Sequence, residues 1–310
     1  MNSSIFNSKA CWLSIGVLLI GLLGTEVFFR TVVLNRSSTA RTINQFMNSD
    51  FETPQQAVSI FGNSYSINGI DTNSVTNALQ QTDLETRITT LHGSHICEWY
   101  WLSKLKYFED PNPPKYVVLN IGKGTLLDRS QVRHRRLAMI FGASGQPLLP
   151  EFGVQSKSTL EFILARFSMA LNRGRNVGTD LSLKSIAEYR SEKKHLANRE
   201  NAMREPVEAP TADPPATTRE IFDLYLNHCN NSGIKLIIVL MPQKTDYQLN
   251  PELESLLQEK TSIIDHREIE DIQPDHFLDQ VHMNKTGKQI YTPIYQQDLV
   301  SMIQKIEGDR

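Results

Sequence analysis

The sequence predicts an α/β domain of three layers, with a parallel sheet of about five strands covered by helices on both faces. Two observations carry this. After residue 55, short apolar runs rich in β-branched residues recur, and the strongest of them stop at a glycine or proline. Segments of helical periodicity separate the runs, and apolar strands alternating with helices fold as parallel sheets. Composition agrees, since 40% hydrophobic and 21% charged residues belong to a folded chain and not to a disordered polymer. A length of 310 residues suits one to two domains.

The first strand is Ala-Val-Ser-Ile-Phe at 57–61, ended by Gly62. A less apolar second strand follows at 86–91. The third, Tyr116–Ile121, starts after Pro113-Pro114 and ends at Gly122. The clearest is 234–241 (Ile-Lys-Leu-Ile-Ile-Val-Leu-Met), bounded by Gly233 and Pro242, and Ser262–Asp265 is the last. Ahead of the fourth strand, Thr217-Thr218-Arg219-Glu220 reads as a capping box. The helix it opens places Ile221, Leu224, Tyr225 and Cys229 on one face and closes at Ser232-Gly233. Residues 128–216 leave this rhythm. They hold the basic run from Arg129 through Arg133, His134, Arg135 and Arg136, then a charged stretch, then Pro206, Pro210, Pro214 and Pro215. We read them as an insertion ending in an extended connector, beside the carboxyl edge where α/β proteins keep their sites.

Residues 10–25 carry no charge; Glu26 and Arg30 then interrupt a run that continues to Leu34. A membrane span needs about 20 apolar residues, which 10–34 supplies if the two charges reach the interface. The expected layout is a tail at 1–9, an anchor at 10–34, a linker at 35–55 and the α/β domain at 56–305. A cleaved signal peptide ending near Ser38-Thr39-Ala40 and a buried soluble helix are the competing readings. Charge flanking the run does not set its orientation, with Lys9 on one side and Arg30, Arg36 and Arg41 on the other.

The net charge of −2, from 32 basic and 34 acidic side chains, argues against binding nucleic acid through overall positive charge. Cys11, Cys97 and Cys229 are too few and too scattered for a disulfide framework or a zinc site; Cys97 to Cys229 is the one bridge open to the soluble part.

Two motifs carry chemistry. Gly62-Asn63-Ser64-Tyr65-Ser66 sits where the first strand gives way to a turn. A serine there is exposed at the carboxyl edge, and the amino terminus of a following helix offers N–H groups to an oxyanion. By itself this segment also reads as an ordinary turn. The second motif is Asp279-Gln280-Val281-His282, followed by Met283-Asn284 and Gly287. That spacing lets a carboxylate hold the imidazole Nδ1–H, leaving the other nitrogen as a general base for a serine hydroxyl. The plainer reading is a helix entry with Asn284 as its cap. No other His or carboxylate group has metal-ligand spacing with it, and no cofactor is expected.

Taken together, Ser64 after the first strand and Asp279 with His282 near the carboxyl end resemble the SGNH/GDSL family of esterases and acyltransferases. Gly62-Asn63-Ser64-Tyr65-Ser66 is similar to that family's Gly-Asp-Ser block, and Asp279-Gln280-Val281-His282 to its Asp-x-x-His block. The resemblance runs over about residues 56–300, outside the insertion. It implies a flavodoxin-like sheet and a triad with Ser64 as nucleophile, His282 as base and Asp279 as its orienter. The family's oxyanion glycine aligns with Gly93 in Leu91-His92-Gly93-Ser94-His95. Asn63 and Asn120 complete the expected oxyanion and substrate groups. The chain departs from the pattern after the third strand, where Gly122-Lys123-Gly124-Thr125 puts Gly124 in place of the asparagine that donates to the oxyanion. Loss of one such donor costs about 10²–10³ in rate. Those four residues are not a phosphate-binding loop, which needs Gly-Lys directly before Ser or Thr.

The expected function is therefore a membrane-anchored, extracytoplasmic serine esterase or O-acyltransferase. Its substrate would be an acylated envelope glycan or lipid, with a membrane-bound acyl donor as partner. The alternative is a catalytically inactive protein of the same fold that binds an envelope component or partner. His92 and His95 are candidates to line the pocket or to lie on the surface. The basic run is a candidate anion site or a solvated helix face. Trp99, Tyr100 and Trp101 are candidates for sugar stacking or for packing.

Overall fold

The computed structural model describes residues 9–28, 37–122, 125, 134–144, 216–249 and 251–308. They fall into two compact units, one built from the amino-terminal helices and residues 134–144, the other from the sheet and the helices around it. Lys123, Gly124 and most of the 128–216 insertion lie outside the described residues.

In the first unit, α1 (Lys9–Phe28) is 20 residues long, about 30 Å at the helical rise and thus the depth of a bilayer's hydrocarbon core. Its Cys11–Phe28 window has a mean hydropathy of 1.9 and is not buried by protein. The helix is apolar and long enough to cross a membrane. Glu26 falls within it, close to its described end.

A second helix, α2 (Ser38–Asn48), occupies the stretch expected to be linker. Ser37 opens it, its hydroxyl accepting the Ala40 N–H at 3.3 Å. In its second half, which belongs to the sheet-bearing unit, Phe46 is buried against Phe61 and Tyr107 at 5.4 and 5.3 Å between ring centroids. The chain that follows is fastened to the sheet edge. Arg87 donates to the Ser49 and Asp50 carbonyls at 2.5 and 2.9 Å, and Glu85 accepts the Glu52 and Thr53 N–H groups at 2.8 and 3.1 Å.

The sheet has five strands, β1 (Ala57–Gly62), β2 (Glu85–Thr90), β3 (Tyr116–Ile121), β4 (Lys235–Leu240) and β5 (Ser262–Asp265). All pairs are parallel and the order is β2-β1-β3-β4-β5. The order reverses at β1, so its carboxyl end opens into the crevice where such sheets bind ligands. β1 and β3 are buried along their whole length, which is why they read as continuous apolar runs. β2 is an edge strand, half-buried and carrying Glu85 and Arg87, charges that discourage edge-to-edge pairing.

Helices α3 (Ser64–Gly69), α4 (Thr72–Gln80) and α5 (Ile96–Ser103) follow the first two strands, and a π-helical turn (Lys104–Phe108) extends α5. Then come α6 (His134–Ser144), which belongs to the first unit, α7 (Ala216–Asn231), α8 (Pro251–Lys260) and α9 (Lys285–Gly308). One sheet face, with Val58, Ile60, Tyr116, Val118, Ile237 and Val239, packs on Val75 and Leu79 of α4 and on α9. The buried residues of α9 there are Tyr291, Tyr295, Leu299 and Ile303, every fourth position and so one stripe of the helix. On the other face α5 meets α7, with Tyr100 and Tyr225 ring centroids 6.2 Å apart, and α7 packs on β4.

Three expectations change here. Trp99, Tyr100 and Trp101 are all buried, so they serve packing and offer no sugar-stacking surface. Leu224 is 37% exposed, while Phe222 and Leu226 are buried with Ile221, Tyr225 and Cys229; the apolar stripe of α7 is centred on Tyr225 and Cys229, away from Leu224. Finally, Thr217 lies within α7 and not ahead of it.

Candidate active site

Ser64 is the first residue of α3, at the carboxyl end of β1 and half-buried. Being first, its N–H has no acceptor within the helix. The tight passage from strand to helix needs Gly62, because a Cβ there would stand 2.1 Å from the Ser66 hydroxyl oxygen and 2.5 Å from its Cβ. Asn63 caps α3, its Oδ1 accepting the Tyr65 N–H at 2.9 Å. Its Nδ2 donates to the Ser94 carbonyl at 3.4 Å and the Thr125 hydroxyl at 3.1 Å. Ser94 in turn donates to the Gly62 and Leu91 carbonyls at 3.2 and 2.8 Å and accepts the Trp99 indole N–H at 2.9 Å. Gly93 sits in this bound turn with φ +59°, a left-handed conformation that favours glycine. The loop after β2 is thereby tied to the start of α3.

On the opposite wall, the Asp279–His282 loop has a closed neck. Phe277 and Met283 form an antiparallel bridge, and Leu278 N–H donates to the His282 carbonyl at 2.7 Å. Asn284 Nδ2 donates to the Asp275 carbonyl at 2.6 Å, while its Oδ1 accepts the Gly287 N–H at 2.9 Å and so caps α9. Gly287 is required by close approach, since a Cβ would lie 2.4 Å from the His276 carbonyl oxygen. The cap and the chemical motif are thus one segment doing both jobs.

Within the loop, Asp279 Oδ1 accepts the Val281 and His282 N–H groups at 2.9 and 2.8 Å, and Oδ2 lies 2.7 Å from His282 Nδ1. Burial raises the Asp279 pKa, but the His282 ring and those two backbone N–H groups outweigh it and bring it to about 2. The carboxylate therefore fixes the proton on Nδ1 and leaves the Nε2 lone pair free to accept. Nε2 lies 2.8 Å from the Ser64 Oγ, across 218 residues of sequence. The His282 and Asp279 side chains keep 26% and 28% of their surface exposed, so the imidazole is open to a substrate. Tyr65 flanks it, with ring centroids 5.8 Å apart. The Tyr65 ring rests on Gly122, where a Cβ would come within 2.7 Å of it.

The remaining predicted groups divide. Gly93 is brought to the same edge as Ser64 by the Ser94 and Asn63 bonds. Asn63 is buried and has both amide hydrogens engaged within the protein, so it braces the site and has none left for an oxyanion. Asn120 is fully buried in β3 and its Oδ1 accepts the Tyr295 hydroxyl at 2.9 Å, a place in the core under α9. Thr125, Tyr65 and the Ser94–Trp99 pair were not singled out for these roles. The partners of Thr125 and Tyr65, Asn63 and His282, lie in distant loops, and no local pattern announces them. Among the described residues no group of three or more His, Cys, Asp or Glu converges as metal ligands would. Cys97 and Cys229 are buried and unbridged, and burial pushes both thiols up.

A carboxyl whose pKa falls on folding adds stability that is full above its unfolded value and is lost as pH drops through its folded value. Asp279→Asn should cost about 1–2 kcal/mol at neutral pH, the linkage value reduced for partial solvent exposure. The gap from wild type should narrow as pH falls from 3.8 towards 2. Urea denaturation of both proteins across that range checks this, and a gap that widens on acidification contradicts it. No family model matches this chain, and no curated protein matches it, so the functional reading rests on geometry and motif.

Proposed function

We propose that this protein is a membrane-anchored serine esterase or O-acyltransferase acting on an ester of an envelope glycan or lipid. The observation that supports it most is the continuous chain Ser64 Oγ–His282 Nε2 at 2.8 Å and His282 Nδ1–Asp279 Oδ2 at 2.7 Å. A serine hydroxyl is a poor nucleophile at neutral pH unless a base takes its proton. Here the base is in hydrogen-bond reach and its own orientation is fixed by a carboxylate.

On this reading Ser64 Oγ attacks the acyl carbonyl carbon while His282 Nε2 takes the hydroxyl proton. The Ser64 and Gly93 N–H groups receive the oxyanion. Collapse expels the alcohol, which leaves with the proton from His282, and the acyl group remains as an ester on Ser64. Water or a sugar hydroxyl then attacks that ester with His282 again as base, freeing the serine. The resemblance to the SGNH/GDSL family agrees with the strand order β2-β1-β3-β4-β5, which is the flavodoxin-like order. A second reading, a catalytically inactive protein that binds an envelope component or partner, draws on Asn63. The side-chain amide beside Ser64 is engaged in bracing loops and leaves no N–H for an oxyanion.

With α1 as its anchor the sheet domain would stand at a membrane, and we propose the extracytoplasmic side, where envelope esters and a membrane-bound acyl donor would meet it. A reporter active only in the cytoplasm and fused after Arg310 should be silent; strong signal reverses the topology.

For the nucleophile, a fluorophosphonate probe should label the full-length protein on Ser64, since labelling needs an activated serine. Ser64→Ala should abolish it. His282→Ala should reduce it by about 10²-fold or more through loss of the proton acceptor. Equal labelling of wild type and Ser64→Ala, or none in the folded wild type, favours the binding protein.

A further inference from the structure

With Ser64 free, the His282 imidazole is held at both nitrogens, Nδ1 by Asp279 at 2.7 Å and Nε2 by the Ser64 hydroxyl at 2.8 Å. The second bond does not survive the reaction. Once Ser64 Oγ is an ester oxygen it has no proton to donate, and the ring is tied at Nδ1 alone. A hydrogen bond at one end leaves the ring free to tilt. Nε2 must nevertheless meet the incoming water or alcohol in line with the acyl carbon, because it is the base for that step.

Tyr65 supplies a hold of a different kind. Its ring lies against the imidazole, with centroids 5.8 Å apart and planes inclined by 51°, within the range of aromatic contact. The ring is itself seated from two sides. Its backbone is fixed by the Tyr65 N–H on Asn63 Oδ1 at 2.9 Å. Its edge lies on Gly122 at the end of β3, where a Cβ would stand 2.7 Å from Cε2 and 2.8 Å from Cδ2 of the ring. Gln243 Nε2, just beyond β4, takes up the rest of that space, 2.6 Å from the same Cβ position. The ring therefore rests on the sheet edge and not on the loop that carries His282. Neither its seat nor its contact with the imidazole uses the Ser64 hydroxyl, so both persist when Ser64 is acylated.

We propose that Tyr65 is a positioning residue for the second half of the reaction, keeping His282 Nε2 aimed while Ser64 carries the acyl group. The proposal rests on the esterase reading. In that half the oxygen of water or alcohol bonds to the acyl carbon and gives its proton to Nε2. The bond from carbon to Oγ then breaks, and Oγ takes the proton back. Attack by Ser64 itself begins with both imidazole bonds in place and so depends less on Tyr65.

Two rates separate the halves in the full-length protein. Fluorophosphonate labelling reads attack by Ser64 alone. The second half is read from the acetyl-enzyme, formed with 4-nitrophenyl acetate, desalted rapidly and followed by mass spectrometry in buffer containing glycerol as acceptor. Tyr65→Leu should lengthen the acetyl-enzyme lifetime by about tenfold or more while slowing labelling by less than about threefold, since misplacing a reacting group by about 1 Å costs up to about 10²-fold. Tyr65→Phe, which keeps the ring, should restore the lifetime. Gly122→Ala, which displaces the ring from β3, should lengthen it as well, and should add nothing in a Tyr65→Leu background. A variant that only loosens the fold slows labelling as much as release, so the ratio of the two rates decides. If Tyr65→Leu does not fold, Gly122→Ala is read in its place. An unchanged lifetime, an equal loss in both rates, or Tyr65→Phe as slow as Tyr65→Leu overturns the proposal. A folded wild type that forms no acetyl-enzyme removes the esterase reading and this proposal with it. An acetyl-enzyme whose lifetime the Leu variant leaves unchanged removes this proposal alone.

Discussion

The side-chain amide of Asn63 holds three loops in one place, its oxygen on the Tyr65 N–H and its nitrogen on the Ser94 carbonyl and the Thr125 hydroxyl. Those segments follow β1, β2 and β3, and the Asn63 side chain bonds to all three. Two donors and one acceptor on a short planar group are what the position uses, and asparagine supplies them. An aspartate would keep the cap on α3 but would set a carboxylate against the Ser94 carbonyl oxygen. Because Asn63 is buried, such a loss would not be made good by water. The positions of Ser64 on α3 and of Gly93 in the turn after β2 both depend on this brace.

The other half of the site is positioned by a different device. The Asp279–His282 loop is closed at its neck by the Phe277–Met283 bridge and locked to the start of α9 by Asn284. α9 is anchored in turn by Tyr291, Tyr295, Leu299 and Ile303 in the core beneath the sheet. The imidazole is thus carried on a rigid element, which lets its geometry toward Ser64 be set before any substrate arrives. Asp279 does no more than it must, holding one ring proton with one oxygen and the loop's own backbone with the other.

Much of this was legible in the sequence because the signals were local. β1, β3 and β4 are continuous apolar runs with glycine or proline at their ends, so their limits could be read to within a residue or two. The spacing of Asp279 and His282 and the place of Ser64 after the first strand were likewise written in short motifs. Non-local features were not legible. α2 is polar enough to pass for linker, and the packing of Phe46, with the Lys106 ammonium on the Met47 carbonyl, ties its second half to the sheet-bearing unit. The bond between the Asn120 oxygen and the Tyr295 hydroxyl joins residues 175 apart, and no local pattern shows it. Three adjacent aromatic residues, Trp99 to Trp101, suit a stacking surface or packing alike, and their burial shows only in three dimensions.

The central claim is that Ser64, His282 and Asp279 act as one acyl-transfer unit, and the acyl-enzyme is its most direct consequence. The full-length protein, mixed with 4-nitrophenyl acetate and quenched in acid, can be digested and read by mass spectrometry. The account predicts one acetyl group on the peptide carrying Ser64, accumulating before release of the acid and absent in His282→Ala. An unmodified Ser64 peptide in the folded wild type, or equal acetylation in His282→Ala, would contradict it.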